Sequence, residues 1–95
     1  MISIGLLTIH LYIPGCTSLK EKRSCIKPIV LRLHKEFNIS SSEIDHLDRW
    51  QESILACTIV SNNKTHNEQV LQKVVQYTEK TWPDVYVLDH SIEMI

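Results

Sequence analysis

Between Asp45 and Gln51 the chain reads Asp-His-Leu-Asp-Arg-Trp-Gln, so that Asp45 and Asp48 bracket His46 and Trp50 follows. A carboxylate accepting the imidazole N–H orients the ring and favours its protonated form, the arrangement used for proton transfer. A catalytic site needs more. No nucleophile and no third metal ligand stands at a recognisable spacing around His46. Asp and His near a strand end commonly hydrogen-bond loop backbone, and a buried Trp50 ring would pin that loop to the sheet or helices. Asp45, His46, Asp48, Trp50 and Gln51 thus form a polar cluster, functional or structural, with no catalytic residue assigned.

A second concentration is electrostatic. Residues 1–37 hold Lys20, Lys22, Arg23, Lys27, Arg32 and Lys35 against Glu21 and Glu36, whereas residues 38–95 hold four basic residues against nine acidic ones. The chain as a whole is near neutral, at formal charge −1, so it has no bulk attraction for nucleic acid or anionic lipid. In a helix, Lys20, Arg23, Lys27, Leu31 and His34 follow three- and four-residue steps and share one ridge. Such a ridge is either a solvated helix face or a contact surface for phosphates, with salt-dependent affinity and no base readout.

Other chemistry is sparse. Ser61-Asn62-Asn63 precedes a helical pattern and offers either a turn with a helix cap or polar atoms for a phosphate. With only Gly5 and Gly15 in the chain, a dinucleotide fingerprint and a P-loop are both excluded. His10, His34, His66 and His90 lie on separate segments. Cys16, Cys25 and Cys57 are an odd number, match no disulfide framework or zinc pair, and suit a reducing cytoplasm. No cofactor and no metal site is expected.

Elements to position these groups follow from periodicity. Ninety-five residues, 43% hydrophobic and 22% charged, suit one domain spanning 1–95. The apolar segment Ile2–Ile13 has no preceding cation and is too short to span a bilayer, so it reads as a strand, not an export signal or membrane anchor. Apolar residues on both of its parities predict a central strand covered on both sides. Ser18-Leu19-Lys20-Glu21 has the form of a capping box opening a helix to about Phe37. Leu19, Ile26, Ile29, Val30, Leu33 and Phe37 supply its core stripe, and Pro28 predicts a kink or break. A polar edge strand over 38–46, a second two-sided apolar strand over Ser53–Ser61, a helix from about Thr65 to Lys80 and a last strand from Val85 complete the pattern. Strand, helix, strand, strand, helix, strand is the ferredoxin-like βαββαβ arrangement, an α+β fold with a four-stranded antiparallel sheet and both helices on one face.

The segments HLYIPGCTSLKEKRS, FNISSSEIDHLDRWQ and ACTIVSNN, at these separations, resemble the YlxP-like bacterial proteins, a domain-of-unknown-function family. The likeness covers essentially the whole chain and implies a ferredoxin-like fold. It also implies a genetic setting among transcription-termination, translation-initiation and ribosome-maturation factors, with no established enzyme activity. The family pattern falls on Leu19, Lys20, Lys22 and Arg23, then Asp45, His46, Asp48, Trp50 and Gln51, then Ser61 and Asn62.

Two functional expectations result. The first is a cytoplasmic accessory factor that contacts ribosomal RNA or a ribosome-associated protein through Lys20, Lys22, Arg23 and Lys27. The second is a homodimer or protein-interaction module: with both helices on one sheet face, apolar side chains on the other face want a cover. An enzyme built on His46 with Asp45 or Asp48 ranks behind both.

Overall fold

A computed structural model describes residues 1–95. It contains β1 (Ser3–Tyr12), α1 (Leu19–Phe37), β2 (Ser40–Asp45), β3 (Glu52–Ser61), α2 (Lys64–Thr81) and β4 (Tyr86–Met94). The four strands form one sheet in the order β2-β3-β1-β4, with every neighbouring pair antiparallel. This is the ferredoxin-like topology anticipated from the element order. No helix is long and apolar enough to cross a membrane.

Strand alternation decides which side chains meet the helices. On β1, Gly5, Leu7, Ile9 and Leu11 are buried, and on β3 so are Ser53, Leu55, Cys57 and Ile59. They pack against Ile26, Ile29 and Leu33 of α1 and Leu71, Val74 and Val75 of α2. The opposite parity, including Ile4, Leu6, His10, Ile54 and Ala56, is only half-buried. The expected two-sided cover of the inner strands is therefore present on one side alone, because both helices lie on that side.

Helix ends are set by local hydrogen bonds. The Ser18 hydroxyl accepts the Glu21 N–H at 3.1 Å, as the capping-box spacing requires. The Glu21 carboxylate turns back to Thr17, accepting its N–H at 2.8 Å and its hydroxyl at 2.9 Å. Those two bonds hold the exposed Glu21 carboxyl below its ordinary value. Asn38, in left-handed conformation with φ 51°, ends α1. Of the kink or break expected at Pro28, the break does not occur: α1 is continuous through it. Pro28 and Ser24 are both exposed, so the Ser24 carbonyl deprived of its donor faces water.

Asn63 caps α2, its side-chain oxygen accepting the His66 N–H at 3.0 Å. Ser61 donates to Asn67 Oδ1 at 2.7 Å, and the buried Asn67 amide donates to the Ser3 carbonyl at 3.1 Å. Tyr77 of α2 meets both Phe37, the last residue of α1, and Trp82 edge-on, bridging the two helices.

Candidate functional site

The expected cationic surface forms with three of its four members. Lys20, Arg23 and Lys27 line one shallow depression with Ser24, Pro28 and Leu31. All three cations are exposed, and none takes part in an ion pair. His34, placed by spacing on the same ridge, hydrogen-bonds through Nδ1 to the Ile39 carbonyl.

Lys22 is not on that surface. It is 1% exposed, with Nζ 2.9 Å from Glu43 Oε2 and hydrogen-bonded to the His46 carbonyl. Its assignment as a phosphate contact is corrected by this geometry: 22, 26, 29 and 33 share one helix face, and that face is the core stripe. Glu43 lies on the helix-facing side of the sheet and also accepts the Ser53 hydroxyl at 2.6 Å. Because the Lys22 ammonium already balances Glu43, the groove formed by Arg23, Lys27 and Leu31 beside that carboxylate keeps its cationic character.

The polar cluster at residues 45–51 separates into parts. Asp45 accepts the backbone N–H of His46 at 2.7 Å, while its carboxylate is 3.7 Å from the His46 ring nitrogen Nδ1. Asp48 makes no hydrogen bond or ion pair with His46, so the predicted bracket of two carboxylates does not form. Gln51 is a tie between elements: its backbone carbonyl accepts the Ile13 N–H at 2.8 Å and its side-chain amide donates to the Cys16 carbonyl at 3.3 Å. Trp50 is 52% exposed, which overturns the expectation that its ring is buried to pin the loop. The backbone bonds of Gln51 and His46 hold the loop and leave the indole at the surface; Leu47 of the same loop is 58% exposed. Ser61 belongs to the α2 cap described above, and Asn62 is exposed beside it, which supports the capping role over a phosphate site.

His46 instead meets residues distant in sequence. Its ring lies edge-on to that of His10, centroids 5.4 Å apart. His10 stands on the open face of β1, and its N–H donates from Nε2 to Glu52 Oε1 at 2.7 Å. Arg49 reaches into the same group, donating to Glu52 Oε2 at 3.2 Å with the same nitrogen 3.3 Å from His46 Nε2. The His10 hydrogen bond holds the Glu52 carboxyl below its ordinary value; burial opposes it, and the charge and hydrogen bond of Arg49 add smaller downward contributions. Sequence reasoning missed His10 and Glu52 because no local spacing relates them to His46. Strand register brings them together: His10 pairs with Ile54, and Glu52 is the next residue of β3 on that same face.

Known proteins agree with this architecture. Residues 4–92 match the family model described as a protein of unknown function, DUF503. An uncharacterized protein YlxP from Bacillus subtilis (strain 168) is 34% identical over 82 residues, covering 86% of this chain and 88% of that protein. Among solved structures, the de novo designed protein Foldit4 aligns with TM-score 0.55 at 10% identity, over 100% of this chain and 97% of its own. A de novo designed protein with ferredoxin fold, LFR1 1, aligns with TM-score 0.56 at 8% identity, over 100% of this chain and 84% of its own. At those identities the two designs speak to the fold alone.

Proposed function

The chain belongs to the DUF503 family, and on that premise we propose that it is a small accessory factor that contacts ribosomal RNA, or RNA in a ribosome-associated complex, through the cationic face of α1. The observation that carries the reading is the shared exposure of Lys20, Arg23 and Lys27 without acidic partners. Unpaired cations on one rigid element meet successive phosphates without paying to break an existing ion pair. Such contacts attach the protein to backbone and carry no sequence information.

Three phosphate contacts give a slope of log affinity against log salt of about −2 to −3. Anisotropy titrations of fluorescent ribosomal RNA fragments, with co-sedimentation on ribosomal subunits, test this. Binding is expected at low salt, lost at high salt, and abolished in the triple variant K20A/R23A/K27A. Binding that ignores salt, or survives the triple substitution, refutes the reading.

A second reading rests on the open sheet face. Leu6 and Ile54 are half-buried there, while Val60 is 66% and Tyr86 55% exposed, a surface suited to cover by a second copy of the chain. Light scattering at high micromolar concentration decides it: a dimer mass supports this reading and a monomer mass removes it. Dimerisation through that face would leave both α1 ridges accessible.

A further inference from the structure

We propose that His10, His46 and Glu52 form a binding site for a divalent transition-metal cation of the zinc class. The inference is independent of RNA contact by α1. One ligating atom from each of the three residues lies within 4.8 Å of the others. Two imidazoles and one carboxylate suit zinc and its first-row neighbours, whereas Mg2+ and Ca2+ prefer sets made of oxygen. Three protein ligands leave at least one position for water or an incoming donor.

The surroundings hold the ligands in place. His10 and Glu52 are fixed to adjacent strands by the β1–β3 ladder. His46 has φ 60°, a backbone conformation that only a few per cent of non-glycine residues adopt, histidine among the more tolerant. Three bonds maintain it: its N–H to Asp45, and its carbonyl accepting both the Arg49 N–H at 3.0 Å and the buried Lys22 ammonium. A non-glycine residue held in left-handed conformation by its neighbours is typical of positions where side-chain direction matters. Here it aims the imidazole over the sheet toward His10. The three side chains are between 20% and 32% exposed, so a hydrated cation has a way in.

Arg49 makes the inference sharply testable. Its guanidinium touches two of the three ligand residues, His46 and Glu52, and so supplies positive charge where a metal ion would. The Arg49 side chain is itself 56% exposed and can swing into solvent. Metal entry then replaces one cation by another, and Arg49 competes with the metal.

Titration of the intact protein with Co2+ under reducing conditions, followed by visible absorption and repeated with Zn2+ by calorimetry, tests the site. One equivalent is expected to bind with the absorption of a nitrogen- and oxygen-ligated ion. Variants H10A and H46A weaken affinity by at least roughly tenfold, the scale seen for removal of groups that support a metal site. R49M, at an exposed position, tightens binding by roughly threefold or more, as expected when a like charge leaves the ligands. That gain keeps the test decisive if an alanine variant fails to fold. Absence of one-to-one binding at millimolar metal, unchanged affinity in the folded histidine variants, thiolate absorption, or a weakened R49M each overturns the proposal.

Discussion

Lys22 and Glu43 are predicted to contribute to stability as a coupled pair, with unequal consequences when either is lost. K22M keeps the length of the side chain and deletes its ammonium. Glu43 then retains the Ser53 hydroxyl and, at 19% exposure, some contact with water, while the His46 carbonyl retains the Arg49 N–H. Breaking a buried ion pair from one side costs about 3–5 kcal/mol, and these residual partners place K22M at or just below the lower end, about 2–3 kcal/mol. E43Q is worse, because it leaves an ammonium that is 1% exposed with a neutral amide and one carbonyl. Its cost is expected near the upper end, about 4–5 kcal/mol. A domain of this size has a total stability of only about 5–14 kcal/mol. Urea unfolding followed by far-ultraviolet circular dichroism reads the difference directly. With a slope of about 1.5 kcal/mol per molar, the midpoints fall by roughly 1.5–3 M. The double variant K22M/E43Q leaves no unpaired charge and should cost less than the two single changes together by about 2 kcal/mol or more. Single-variant costs below about 1 kcal/mol each, the range of exposed pairs, would refute the reasoning.

Three further predictions follow from the core, the thiols and the first helix turn. A Cβ added at Gly5 would stand 2.8 Å from Leu71 Cδ1 and 3.2 Å from Ile59 Cγ2, both in the packed layer, so G5A should cost about 1–3 kcal/mol by urea unfolding; a neutral or stabilising result contradicts the packing. Burial pushes the Cys57 thiol up to about 12 and also raises that of the half-buried Cys25, so mass spectrometry after iodoacetamide treatment at pH 8 should find Cys57 unmodified in the native protein and modified in urea; rapid native modification of Cys57 argues against its burial. The depressed Glu21 carboxyl contributes stability that is fully present above its unfolded value and is lost as pH falls through its folded value. E21Q should therefore reduce the loss of Tm on acidification below about pH 4.5, and an unchanged acid limb would show that the Thr17 bonds contribute nothing.

Much of this molecule is written in local sequence. Apolar runs without a helix-period polar face in Ile2–Ile13 and Ser53–Ser61, the Ser18 and Asn63 caps and the stripe through Ile26, Ile29 and Leu33 specify the elements and their order, because each depends on residues within a turn or two. That order in turn restricts the topology through right-handed crossovers. The exposed spacing of Lys20, Arg23 and Lys27 is equally local, being a property of the helix itself. Even the burial of Lys22 has a local sign, since it sits four residues before Ile26 on the core stripe.

Partners across the fold are another matter. Whether a lysine on that stripe is tolerated depends on Glu43, which β2 places opposite it, and only the assembled sheet and helix bring the two charges together. The exposure of Trp50 reflects the backbone bonds of Gln51 and His46, which hold the turn without needing the ring. His10, His46 and Glu52 meet because strand register and a left-handed turn superimpose positions that no helical or strand period connects. Local periodicity determines where a side chain points along its own element; what stands in front of it is decided when the elements pack.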